Sequence, residues 1–180
     1  MDDSQHDDWT PDPTEHPTPE SRDDIARRRA VEIAQDARFC MLTSASGDGS
    51  LHARPMTPQQ VTDELEAWFF ISRTSEQATD VAERPRVNLS FDGSSDWLSV
   101  AGTATLVDDR RLVAEMWNPV VEAWFPDGPQ DPDLVLLRVD AVSAEYWKAP
   151  GGRAASLLTD VKAEATGGPM RAEQGSVALF

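Results

Sequence analysis

"WFFISRTSEQATDV" (residues 68–81) passes from a strand pattern to a helix pattern within a few residues. Trp68 to Ile71 is an apolar, largely aromatic run of strand character. Ser75 to Val81 alternates small, polar and apolar residues at helical spacing, and Pro85 stops the pattern after Arg84. Between the two lies Ser72-Arg73-Thr74-Ser75, and its hydroxyls admit two readings. In the first, Thr74 caps the helix and Gln77, three residues on, is the reciprocal half of a capping box. In the second, the free N–H groups of the helix start, the hydroxyls of Ser72 and Ser75, and the cation of Arg73 form a seat for an anion. The local sequence is compatible with both.

Outward from this junction the chain is rich in strands. Ser21 followed by Asp24 predicts a capping box opening a helix through about Ala37, with Ala26, Ala30, Ile33, Ala34 and Ala37 at helical spacing. "RFCMLTSA" (38–45) and "LHARPMT" (51–57) flank the hairpin signal "SGDGS", and "EAWFFIS" (66–72) is a third strand, apolar on both faces. "RVNLSFD" (86–92) alternates, with Val87, Leu89 and Phe91 on one face. "WLSVAGTATLV" (97–107) is a fifth strand in which Gly102 predicts a bend or bulge. Asp108 can cap a helix that presents Leu112, Val113, Met116 and Trp117 on one side. Asn118-Pro119 starts a second short piece ending near Phe125, and a turn-rich "PDGPQDPD" leads to a long last strand, 134–147. Six strands with few helices predict an α+β chain, mainly β: a compact barrel with flanking helices. The segment after Pro150 is weakly patterned and stays unassigned.

Composition narrows the function classes. The 180 residues suit one domain, and the formal net charge is −16. Residues 1–24 hold nine Asp and Glu against Arg22 alone, so half of that imbalance lies in the first stretch of chain. With Pro11, Pro13, Pro17 and Pro19 and few large apolar residues, residues 1–20 read as a disordered acidic tail. The acidic balance argues against nucleic acid and anionic membranes, which call for clustered Lys and Arg. No apolar run approaches membrane-spanning length and no apolar signal core is present, so the expected location is the cytoplasm. Cys40 is the one cysteine and reads as core, and His52 as a surface or packed residue; with His6 and His16 in the tail, no metal site is expected. The acidic loop from Asp127 to Asp133 reads as turns. No triad or carboxylate pair stands out, so no catalytic residue is named.

Residues 38 to about 148 resemble the pyridoxamine-phosphate-oxidase-like flavoproteins, a split-barrel superfamily, and within it the general stress protein 26 group. The likeness rests on "HARPM" (52–56), "LEAWFFISRTSEQATDV" (65–81), "RPRVNLSF" (84–91), "WLSVAGTATLVDD" (97–109), "WNPVVEAWFPDGPQDPDLVLLRV" (117–139) and "AEYW" (144–147), in that order. It implies an FMN-binding split β-barrel over residues 21–150, a homodimer with flavin clefts between subunits, and a C-terminal extension over 151–180. FAD or a deazaflavin are the alternative cofactors. It also implies site residues. Arg54, Pro55, Met56 and Thr57 would line the flavin ring, Arg54 at its polar edge. Ile71 and Ser72 would end the strand beside it. Ser75 matches a phosphate-contacting serine, and Gln77 falls where the family most often has a phosphate-pairing lysine. Trp97 matches a position that can approach the ring, and Trp117 and Trp147 are candidates for the cleft wall. Lys148 and Lys162 are the only lysines, so none replaces the missing one locally. True pyridoxamine phosphate oxidases close with an Arg-x-His segment, whereas this sequence ends in "GSVALF", which argues against that activity. The expected function is a general stress protein-type flavoprotein, possible oxidoreductase chemistry included. The alternatives are a flavin carrier or sensor, and a degenerate barrel that works through its dimer surface.

Overall fold

The computed structural model describes residues 21–93, 96–148 and 173–179. The acidic tail and most of the C-terminal extension, both expected above, lie outside the described residues. Helix α1 (Arg22–Asp36) opens with the predicted capping box: the Ser21 hydroxyl accepts from the Asp24 N–H and the Asp24 carboxylate accepts from the Ser21 N–H. Its buried face is Ala26, Ala30, Val31, Ile33 and Ala34. Small residues there let the helix lie close against the sheet.

Strands β1 (Cys40–Ala45) and β2 (Leu51–Met56) form the predicted hairpin. Gly49 takes a φ of +87° in the turn, a conformation that disfavours any side chain. The Asp48 carboxylate closes the turn on the Ser46 hydroxyl and the Ser50 N–H, which holds its carboxyl well below the usual range. A two-residue strand β3 (Gln60–Val61) follows, then β4 (Ala67–Ser72), α2 (Glu76–Glu83), β5 (Arg86–Asp92) and β6 (Asp96–Val107). Helices α3 (Arg110–Met116) and α4 (Pro119–Glu122) lead to β7 (Leu134–Lys148), and β8 (Glu173–Ala178) closes the set.

All strand pairings are antiparallel, in the order β2-β1-β5-β6-β7-β4-β3. The long strand β7 divides the architecture. Leu134–Val139 pairs with β4 on one flank, whereas Ser143–Lys148 pairs with β8, and β6 runs along the other flank from Leu136 to Lys148. This is a split β-barrel, mainly β with peripheral helices. β6 changes register between Ala101 and Gly102, where a Cβ on the glycine would lie 2.7 Å from Val139 Cγ1 and 2.8 Å from the Asp140 carbonyl oxygen. The irregularity falls at the predicted position, but the extra residue is Val142 of β7, which has no partner in β6, and the close approach of that strand is what requires a glycine at 102.

Two apolar cores share this sheet. The inner one joins Leu42, Phe69, Leu89, Val100 and Leu137 to the buried faces of α1 and α2. Cys40 belongs to it, and burial pushes its thiol up to about 12, so it is an inert packing residue. The outer core joins Trp68 and Phe70 of β4 and Leu134 and Leu136 of β7 to Val113 and Val121 of α3 and α4. Of the three aromatic residues of β4, alternation sends only Phe69 into the barrel. Trp68 and Phe70 instead sit under α3 and α4, which is why β4 is apolar on both faces.

Several element boundaries also differ from the sequence reading. Ser75, not Thr74, caps α2, accepting from the Ala78 N–H at 3.1 Å. Asp109, not Asp108, caps α3. Strands β3 and β8 bring the described strands to eight where six were expected.

Candidate functional site

β2 and α4 face each other across an apolar cavity of about 380 Å3. Pro55, Met56 and Thr57 form one side where β2 ends, and Val120, Val121, Trp124 and Phe125 form the other. Phe39, at the entry to β1, and Phe70, from the outer face of β4, complete the wall with Gln59. Phe70 is held by an edge-to-face contact with Trp117, ring centroids 5.9 Å apart, and by Phe125 at 6.4 Å. Trp124 is 75% exposed, Val120 54% and Phe39 52%, so the cavity's rim is a hydrophobic surface.

A chain of side-chain amides sets the two walls relative to each other. Gln59 Nε2 donates to the Thr57 carbonyl at 2.9 Å, and Gln59 Oε1 accepts from Asn118 Nδ2 at 2.7 Å. Asn118 Oδ1 in turn caps α4, accepting from the N–H groups of Val120 and Val121. From the sequence, Asn118-Pro119 marks only the place where one helix stops and a second short piece starts.

One side chain beyond the cavity lies a polar cluster under α2. Met56 touches both, its sulfur 3.8 Å from Gln77 Nε2. Gln77 is only 6% exposed, and N3 of this helix is Ala78, so Gln77 is not the reciprocal half of a capping box. It fills the helix–sheet interface. Arg54 does not line the cavity: its strand position places it level with Leu42, on the side that faces α2. Its guanidinium lies 3.7 Å from Asp80 and 3.6 Å from Glu76 and donates to the Ser44 hydroxyl at 3.3 Å. Arg54 is thus a cation held by two carboxylates. Asp80 is buried, and its Oδ2 accepts no hydrogen bond. The charge of Arg54 is what makes that burial tolerable.

The hydroxyls of the 72–75 junction are engaged within the chain. Ser72 Oγ donates to Asp133 Oδ2, and Asp133 Oδ1 accepts from the Thr74 N–H at 3.0 Å. The Ser75 hydroxyl donates to the Ser72 carbonyl while it caps the helix. An anion already occupies the hydroxyl side of this junction, the carboxylate of Asp133. Its hydrogen bond from Ser72 holds its carboxyl below the usual range, helped by Thr74 and the charge of Arg73. What stays open is the helix start itself, where the N–H groups of Glu76 and Gln77 have no intrahelical partner.

The remaining predicted residues lie elsewhere. Ile71 is in the inner core. Trp97 is 46% exposed and pairs across the sheet with Asp92 and Trp147, apart from the cavity lining. Trp117 supports Phe70 from behind without lining the cavity. Phe39, Gln59, Phe70, Val121, Trp124 and Phe125 were not named from the sequence as site residues. Among the described residues no cluster of His, Cys, Asp or Glu could hold a metal ion, and no helix is long and apolar enough to cross a membrane.

The pattern of the pyridoxamine 5'-phosphate oxidase like family matches residues 26–170, which include every wall of this cavity. The chain belongs to that family. Among its relatives is protein bli-3 of Neurospora crassa, 35% identical over 121 residues, a match covering 61% of this chain and 58% of bli-3. General stress protein 26 of Bacillus subtilis is 32% identical over 97 residues, covering 51% of this chain and 67% of that protein. The crystal structure of the general stress FMN/FAD binding protein of Xanthomonas citri superposes with a TM-score of 0.58 at 33% identity, covering 69% of this chain and 88% of that one. Within this oxidase-like family the chain is thus similar to the general stress protein 26 group.

Proposed function

We propose that the protein binds FMN, its ring in the cavity between β2 and α4, and acts as a homodimeric flavoprotein. The observation that carries this reading is the cavity: apolar, walled by Pro55, Met56, Phe70 and Phe125, with few polar side chains on its wall. A flat, largely apolar ring with one polar edge calls for such a lining, and the volume falls in the range of small-molecule sites. The binding named for the Xanthomonas citri relative points the same way.

The phosphate would lie against the first N–H groups of α2, with Arg54 as its cation. Met56 joins that place to the cavity, and Arg54's carboxylate partners at 3.6 and 3.7 Å are too long for strong charge-assisted hydrogen bonds. Phosphate binding here means exchanging those partners, so the affinity gained from the phosphate is modest. FMN should still exceed riboflavin, and FAD should gain nothing over FMN. A second copy of the chain would cover Trp124, Val120 and Phe39, the exposed apolar rim.

A bound flavin supplies hydride and electron transfer. The chain's part is to hold the ring dry and oriented, because no titratable side chain lines the cavity. That last observation also favours a second reading, a flavin carrier or sensor without a reaction of its own. Titrating the pure protein with FMN, FAD, riboflavin and a deazaflavin tests the binding, and turnover with NAD(P)H and an electron acceptor separates an oxidoreductase from a carrier. A protein that binds none of these flavins would be the degenerate barrel.

A further inference from the structure

We propose that Gln59 is the specificity-determining residue of the cavity and that it recognises the imide edge of a planar ring. This rests on the flavin reading above and deepens it. Apart from the indole N–H of the exposed Trp124, the side-chain hydrogen-bonding groups on the wall are the Thr57 hydroxyl and the Gln59 carboxamide. A carboxamide has two N–H donors and two lone pairs. Gln59 engages one of each, donating to the Thr57 carbonyl and accepting from Asn118 Nδ2. The neighbours fix which end is which, because a carbonyl can only accept and an N–H can only donate. One donor and one acceptor therefore remain uncommitted on a planar group at the cavity wall.

An imide edge, N–H beside C=O, is the complement of that pair. A ring that enters an apolar cavity gives up its water at this edge, and the loss is costly unless each group finds a partner. Gln59 supplies both senses from one side chain. Its rotamer is already fixed from two sides, so little further conformational entropy is lost on binding. Asn118 is the positioning residue: it orients the amide and, through the α4 cap, sets the opposite wall.

The test uses the full chain and compares FMN with FMN methylated at the imide nitrogen, both by flavin fluorescence, with thermal melting as a check on folding. In the wild type the methylated compound should bind more weakly. Gln59→Leu should weaken FMN by about three- to tenfold for each hydrogen bond lost. It should weaken the methylated compound less, because that compound offers Gln59 only its carbonyl, so the ratio of the two affinities falls. Asn118→Asp keeps an oxygen to cap α4 but presents an acceptor to Gln59 Oε1. It should lower the same ratio, in which any change of overall charge cancels, and it carries the test should Gln59→Leu fold poorly. A ratio left at its wild-type value in both variants would overturn the assignment while leaving flavin binding intact. A wild-type protein that binds neither compound would sink the flavin reading and this inference together.

Discussion

At the scale of single residues, the departures from expectation come from side chains that satisfy one another. Gln77 was expected either to cap α2 or to replace a lysine, and it does the first not at all, because it is buried against Met56. Gln77→Lys should lower stability by about 1–3 kcal/mol through the cost of burying an ammonium rather than through a lost cap. A melting temperature equal to the wild type's would show that the position is not buried. Glu76 offers a cleaner probe of the phosphate, since its carboxylate is exposed and competes for Arg54. Glu76→Gln should tighten FMN by roughly two- to fivefold, the scale of an exposed ion pair, and leave riboflavin unchanged. Equal effects on both ligands would place the phosphate elsewhere. None of this was legible in the string "SRTSEQ", because Asp133, which fills the hydroxyl side of the junction, lies some sixty residues away.

Between elements, the bulge where β6 meets β7 and the tie of Asp133 to the β4–α2 junction are two contacts that can be tested directly. Gly102→Ala would drive a Cβ against Val139 and the Asp140 carbonyl and should cost about 1–3 kcal/mol, measured by chemical denaturation. An unchanged midpoint would mean that the strands yield there freely. Asp133 gives a pH-dependent test. Its carboxyl is held below the ordinary range, so its stabilising contribution is complete above the unfolded value of about 3.9 and is lost as pH falls through the lower folded value. The difference in melting temperature between wild type and Asp133→Asn should stay constant from pH 7 to 5 and shrink below about pH 4. A difference that persists in strong acid would assign it to packing. Strands with clean alternation or continuous apolar runs were legible in the sequence, β5 to the residue. β3 was missed because two residues carry no period, and β8 because Gly175 interrupts its pattern while packing under Tyr146. The site was half legible. "PMT" (55–57) marked one wall, but the other is made by α4 folding back over β4, a tertiary event. Its one sequence trace is Val121 and Phe125 four residues apart, a helical repeat with no stated partner.

At the scale of the whole molecule, an apolar cavity opens at a hydrophobic rim. A monomer that leaves Trp124 75% exposed beside Val120 and Phe39 has reason to pair. Sedimentation of the pure protein at micromolar concentration with flavin present should give twice the monomer mass. Trp124→Glu should shift it toward monomer and weaken FMN at the same time. A wild-type monomer with full flavin affinity would separate the cavity from any subunit boundary. The central claim is that this cavity, between β2 and α4, receives the flavin ring. Its most direct test is titration of FMN into wild type and into Val121→Trp, a change that fills the cavity from its far wall, following flavin fluorescence. The account predicts saturable quenching with one FMN per chain in the wild type and its loss in the variant, with far-ultraviolet circular dichroism unchanged. Undiminished FMN affinity in a folded Val121→Trp protein would contradict it.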